Sequence, residues 1–211
     1  MTGTRREPSK TLRLLWIAAL PFGVVVAAEA VAPPVVIDHD DDYVYRLPYG
    51  TDIEYAVLQT YGSRFSHTGT EFYTIDFAMP EGSLVHAARE GVVVRVDVGS
   101  SRGCFVEGCE VFANNIVIEH SDGTMGEYFH LQKGGALVAV GQFVMRGQPI
   151  ALSGNTGYSS LPHLHFGVYA ADAADHPHSI EVRFATTAGL MSRLRAGRCY
   201  RNVIVDRFAG R

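Results

Sequence analysis

The 211-residue chain carries 18 Lys and Arg against 22 Asp and Glu, a formal charge of −4, with 47% hydrophobic and 19% charged residues. It is apolar enough to bury a sizeable core and too apolar for a disordered chain, and its length suits one domain with appendages. Its mild acidity gives no electrostatic reason to expect a nucleic-acid partner.

The first thirty residues read as an export signal. Arg5 to Arg13 form a basic region, Leu14 to Ala28 an apolar stretch broken only by Pro21 and Gly23, and Ala28-Glu29-Ala30 a small-residue cleavage site. The apolar run falls short of the roughly 20 residues of a membrane span. Cleavage is therefore expected ahead of retention as a membrane anchor, with the mature protein periplasmic, secreted or held at the cell envelope. Residues 31–51, with Ala32-Pro33-Pro34 and the run Asp38-His39-Asp40-Asp41-Asp42, read as a solvated linker.

From 52 to 186 the chain reads as short strands separated by turns: Ile53–Leu58, Tyr73–Ala78, Leu84–Ala88, Gly91–Val98, Val111–His120, Thr124–Leu131, Pro149–Ser153, Leu164–Tyr169 and Ile180–Ala185. β-Branched and aromatic residues are frequent in them. Between them stand Pro80-Glu81-Gly82, Lys133-Gly134-Gly135, Arg146-Gly147 and Ser153-Gly154-Asn155-Thr156-Gly157, while Ser121-Asp122-Gly123 is a hairpin signal. The expected fold is mainly β, an antiparallel sandwich or partly closed barrel with an open groove. Residues 187–211 are basic and read as a surface tail with one short helix around Leu190–Leu194.

Four of the nine histidines stand in chemically suggestive places. In Pro162-His163-Leu164-His165-Phe166, strand alternation puts both histidines on one face and Leu164 and Phe166 on the other. By itself this fits metal chemistry or two surface histidines. In Ile75-Asp76-Phe77 the apolar flanks face the core, so Asp76 lies opposite and needs a partner. A cation is one; a hydrogen-bonded strand-end carboxylate is the alternative. His67 lies across a Gly-containing loop from that strand. His67, Asp76 and His165 would make a zinc site of two histidines and an aspartate, leaving a coordination position open. His130 ends the segment Glu127-Tyr128-Phe129-His130 and shares a strand face with Tyr128. By itself it reads as a satisfied surface histidine. His39, His86, His120, His176 and His178 read as structural or exposed, with His176-Pro177-His178 in a loop. Cys104 and Cys109 bracket a Gly-rich stretch that an oxidising envelope would close with a disulfide, leaving Cys199 unpaired.

Taken together, Ser66-His67, Ile75-Asp76-Phe77-Ala78-Met79-Pro80-Glu81-Gly82, Tyr128-Phe129-His130-Leu131, Gly147-Gln148-Pro149-Ile150, Ser153-Gly154-Asn155-Thr156-Gly157 and Pro162-His163-Leu164-His165-Phe166 closely resemble the lysostaphin-like zinc endopeptidases, the family that includes LytM. The resemblance covers roughly residues 60–170. It implies Zn2+ held by His67, Asp76 and His165, a catalytic pair His130 and His163, and peptidoglycan stem or bridge peptides as substrate. Three features depart from the family pattern. The loop between His67 and Asp76 is longer than the commonest form, Leu161 stands where glycine commonly precedes the proline, and the Cys104–Cys109 loop is a local elaboration. The rival readings are a non-catalytic envelope protein that binds peptidoglycan or regulates an amidase, which predicts a damaged zinc site, and a lipoyl- or biotinyl-carrier-like domain, which needs a lysine at a hairpin tip. Lys133 lacks that setting.

Overall fold

The computed structural model describes residues 39–40, 42–171 and 177–204; the export signal, Asp38 and Asp41 of the acidic run and His176 lie outside the described residues. Among the described residues no helix is long and apolar enough to cross a membrane.

The architecture is mainly β, in open sheets. A nine-stranded sheet runs Phe143–Val144, Gly91–Asp97, Asn115–Glu119, Met125–Phe129, Leu164–Ala171, Ile75–Phe77, Glu54–Gln59 and Cys199–Arg201, with Pro177–Ser179 pairing the outer end of Leu164–Ala171. All its neighbours are antiparallel. Leu84–His86, Pro149–Ser153 and Leu131–Ala136 form a second sheet. Val44–Arg46, Arg183–Thr186 and Gly189–Met191 form a third. A parallel pair joins Gly103–Cys104 to Gly157–Tyr158. One hydrophobic cluster takes in Phe77, Ile118 and Phe166 from the large sheet, Val85 and Ile150 from the second and Tyr45 and Phe184 from the third, so the sheets bury a common core. Each such side chain contributes about 1.5–3 kcal/mol by leaving water.

The nine strands expected from alternation all have counterparts, with shifted ends. The largest shift is at 111, where a 3-10 turn, Glu110–Phe112, precedes the strand Asn115–Glu119. Lys133-Gly134-Gly135, read as a turn, lies inside a strand, and Pro177–Ser179 is a strand rather than loop.

Two terminal assignments need correction. The segment read as linker to residue 51 enters the core by Val44–Arg46, and Tyr45, Leu47 and Tyr49 are buried. The C-terminal stretch contains no helix among its described residues. Gly189–Met191 is a strand, Leu194 is buried, and Cys199–Arg201 closes the edge of the large sheet against Glu54–Gln59. These two ends are tied together. Tyr49 Oη donates to the Tyr200 carbonyl at 2.7 Å, and Asn202 Nδ2 donates to the carbonyls of Leu47 and Tyr49. Short pieces with turn-like composition become strands because partners distant in sequence satisfy their backbone groups.

Candidate metal centre

Asp76 and His165 are direct cross-strand partners in the middle of the large sheet. The register is fixed by what flanks them. Leu164 pairs with Phe77 and Phe166 with Ile75, all four buried, so a one-residue slip would turn the core side chains toward the cleft. His67 arrives from the loop before Ile75–Phe77 and is fully buried. One ligand atom from each of His67, Asp76 and His165 lies within 4.8 Å of the others.

Asp76 is oriented from behind. Its Oδ2 accepts 2.6 Å from Gln59 Nε2, which also donates to Ser66 Oγ. A register irregularity between Val57 and Gln59 brings Gln59 opposite Asp76. The other oxygen, Oδ1, faces the histidines: 2.8 Å from His165 Nδ1, 3.2 Å from His67 Nε2 and 3.9 Å from His163 Nε2. Burial opposes ionisation of Asp76, but the contacts to His165 and His67 outweigh it and hold the carboxyl well below the usual range.

The donor set fits a metal. His67 Nδ1 lies 3.2 Å from the Thr60 carbonyl, an acceptor only, so this nitrogen carries the proton and Nε2 carries the lone pair. That Nε2 is buried and lies 3.2 Å from Asp76 Oδ1, so the lone pair and the carboxylate converge on the same point, as two ligands of one ion would. Two imidazoles and one carboxylate with a cleft beyond them match catalytic zinc sites, which keep a position open.

His165 shows what the carboxylates do. Desolvation pushes its pKa down, but Asp76 and Glu71 outweigh burial and raise it to about 9. Glu71 Oε2 is 3.4 Å from His165 Nε2 and accepts the Tyr169 hydroxyl. The carboxylate thus backs the ring nitrogen turned away from Asp76, the usual way a ligating histidine is aimed.

His130 reaches the site by a route that strand alternation does not give. Tyr128 is fully buried in the core, its hydroxyl accepting from Ala88 N–H at 2.8 Å. His130 does not share its face, because the strand ends at Phe129 and His130 adopts φ 63°, the left-handed region. The turn swings its ring beside His163, with centroids 4.4 Å apart. His130 Nδ1 donates 2.6 Å to the Thr156 carbonyl. Thr156 is itself pinned, its hydroxyl donating to the Leu131 carbonyl and accepting from Asn114 N–H. Gly157, at φ 80°, is required next to it, since a Cβ there would lie 2.4 Å from Ala113 Cβ. His163 Nδ1 donates 2.8 Å to the Leu161 carbonyl, with Ser159 Oγ at 3.1 Å. The residue at 161 therefore contributes through its backbone, which leucine supplies as well as glycine.

Both rings present Nε2 as the free nitrogen. Burial, reinforced by the neighbouring histidines, lowers the His130 pKa to about 3, and burial lowers that of His163. Both are neutral at pH 7 and able to accept a proton. Asp76, His130, His163 and His165 line one cleft of about 730 Å³, with His67 buried behind it.

Sequence reasoning missed Gln59, Glu71, Thr156 and Ser159 as supports of the site. The sequence carried a signal only for Thr156, which stands in a flagged turn. The Cys104–Cys109 pair is joined in a disulfide with Cα atoms 5.9 Å apart, and Cys199 is a free, exposed thiol.

The sequence model for peptidase family M23 matches residues 70–177, which holds Asp76, His130, His163 and His165, with His67 just before it. The chain belongs to peptidase family M23. Among curated relatives, this M23 chain is 43% identical over 100 residues to the peptidoglycan DD-endopeptidase ShyA of Vibrio cholerae (47% of this chain, 19% of that protein). It is 37% identical over 99 residues to lysostaphin of Staphylococcus simulans (46% and 18%). An uncharacterized metalloprotease of Buchnera aphidicola is 31% identical over 134 residues (64% and 32%). The chain thus spans a third or less of the length of these relatives. The solved structure of S. simulans lysostaphin aligns with TM-score 0.43 at 33% identity, covering 55% of this chain and 42% of that one. A zinc-containing peptidase from V. cholerae aligns with TM-score 0.42 at 34% identity, covering 57% and 35%.

Proposed function

We propose that this M23 chain is an exported zinc endopeptidase that hydrolyses amide bonds in the stem or bridge peptides of bacterial peptidoglycan. One observation carries the reading: an intact His67, Asp76 and His165 donor set adjoins a single open cleft, which Asp76 and His165 line together with two neutral histidines. Its relative ShyA, a peptidoglycan DD-endopeptidase, supports the substrate class, and the basic-apolar N-terminus supports export.

His67, Asp76 and His165 would hold the zinc. When bound, zinc supplies Lewis acidity, which acidifies water from a pKa of about 15.7 toward roughly 7 and polarises a carbonyl. The rest falls to the chain. His163, whose Nε2 lies 3.9 Å from Asp76 Oδ1, takes the proton from the attacking water at Nε2. His130, turned into the cleft by its left-handed backbone beside His163, is neutral at rest and acts after that transfer: it takes up at Nε2 the proton drawn from the water, steadies the oxyanion with it and releases it to the leaving amine. The Thr156 and Leu161 carbonyls hold the resting proton of each ring on Nδ1, which leaves both Nε2 atoms free to accept one.

The test is digestion of purified peptidoglycans of differing bridge chemistry by the zinc-loaded full chain, with mass analysis of the fragments. The expected result is new peptide amino termini that disappear with a chelator and return with Zn2+. Zinc bound in equimolar amount with no peptide bond cut in any of them would overturn the enzymatic reading in favour of a binding or regulatory role.

A further inference from the structure

The wall of the cleft opposite the large sheet carries a feature that the zinc chemistry leaves unused. Phe65, Phe105 and Tyr158 form a three-ring stack. Phe65 and Phe105 have centroids 5.6 Å apart and planes 8° from parallel, while Phe105 and Tyr158 are 4.9 Å apart at 24°. All three line the same cleft as His130, His163 and His165. Phe65 is 61% and Phe105 46% exposed. Exposed phenylalanines held in order along a cleft mark a binding surface rather than a core.

Phe105 is the middle ring and sits inside the Cys104–Cys109 loop. Its position is fixed from both sides. Cys109 is buried, and Cys104 pairs in parallel register with Tyr158. Gly157 N–H donates to the Arg102 carbonyl at 2.8 Å, and Ser159 N–H to the Cys104 carbonyl at 3.1 Å. The disulfide loop is thus stitched to the segment carrying Tyr158.

We propose that Phe105 is a specificity-determining residue, held by the Cys104–Cys109 disulfide as the centre of an aromatic wall that receives an extended peptide. This deepens the peptidase reading and rests on it. The stack favours peptide over sugar. Phe105 stacks on both neighbouring rings, which takes up face area and favours use of its edges, which carry the positive end of the ring quadrupole. Edges suit peptide carbonyl oxygens and methyl groups, whereas packing a pyranose needs an open face. The cleft lining holds Glu71, Asp76 and Glu110 but no Lys or Arg among the described residues, so it offers an anionic glycan or carboxylate-rich ligand no cationic side chain.

The test measures binding separately from turnover. In the zinc-loaded full chain carrying His130→Ala, affinity for soluble cross-linked muropeptides is compared with and without Phe105→Ala. Binding should weaken about 10-fold, the scale of one lost aromatic contact pair, with zinc content unchanged and most of the affinity restored by Phe105→Tyr. Cys104→Ser with Cys109→Ser should give a similar loss, and Phe65→Ala a smaller one. In the otherwise unaltered protein, the Phe105→Ala loss should appear in KM, with kcat within about 2–3-fold. Equal binding by Phe105→Ala and its parent overturns the proposal. So does a fall in kcat at unchanged KM, which would make the loop a prop for His163, and so does a loss confined to peptide-free glycan chains. If the unaltered protein cuts no peptide bond, the proposed function falls, while the binding comparison still decides the role of Phe105.

Discussion

Two histidines of the large sheet, His165 in its middle and His120 at the Asn115–Glu119 hairpin end, have opposite fates. His165 faces the carboxylates of Asp76 and Glu71, and its pKa is raised to about 9. His120 is 4% exposed, with Nδ1 donating 2.9 Å to the Glu90 carbonyl and Nε2 buried without a partner. Burial, with the charge of Arg89 nearby, lowers its pKa to about 4. Arg89 is held there by Asp122 at 2.7 Å and lies 4.0 Å over the Tyr43 ring, so the cation that disfavours a second positive charge belongs to the packing of that end. The contrast teaches that burial alone drives a histidine toward neutrality, and that it takes two aimed carboxylates to reverse this. A site built to receive a cation shows the reversal; a packed hairpin does not.

The comparison breaks most severely at the donor set. His165→Ala or Asp76→Ala should abolish stoichiometric zinc binding and reduce hydrolysis by roughly a thousandfold or more; metal analysis after dialysis and a turnover assay would show it. Next, His130→Ala should keep its zinc and lose about 10²–10⁴-fold in kcat, and full turnover in this variant would remove His130 from the chemistry. The third effect sharpens the contrast through pH. Below pH 6.5 the unfolded chain protonates His120 while the native ring stays neutral until about pH 4. The unfolded state then binds more protons, so stability falls as pH falls through that window, by up to about 3 kcal/mol at its acid end. His120→Gln should flatten that part of a denaturation-versus-pH curve. For His165 the sign is reversed. In chelator-treated protein its contribution is fully present below pH 6.5 and is lost as pH rises through about 9. Added zinc should erase that alkaline loss, because a ligating imidazole must be neutral. The smallest effect belongs to Glu71→Gln, which should weaken zinc affinity about 10–100-fold without preventing folding; titration with a competing chelator reads it directly.

Much of this was legible in the chain. Alternation alone placed Asp76 opposite Ile75 and Phe77, and His163 and His165 away from Leu164 and Phe166. Buried apolar flanks enforce those facings because a strand repeats every two residues. Alternation failed at His130. It put the ring on the face of Tyr128, which the structure turns to the core, and only a left-handed residue ending the strand delivers His130 to the cleft. No residue type announces a positive φ at a histidine. Gln59 and Glu71 were equally silent, since a hydrogen-bonding side chain on a strand or short turn looks like surface until its partner is known.

The linear order of residues thus determined by itself nine strands between residues 52 and 186, which residues are chemically competent and the facing of Asp76, His163 and His165, since these follow from local periodicity and side-chain chemistry. The tertiary structure alone decided three things: the register that sets His165 against Asp76, the backbone reversal at His130, and the recruitment of residues 43–50 and 189–202 into the core. Each depends on satisfying backbone and side-chain groups across long stretches of chain, and local pattern holds no record of partners so far away.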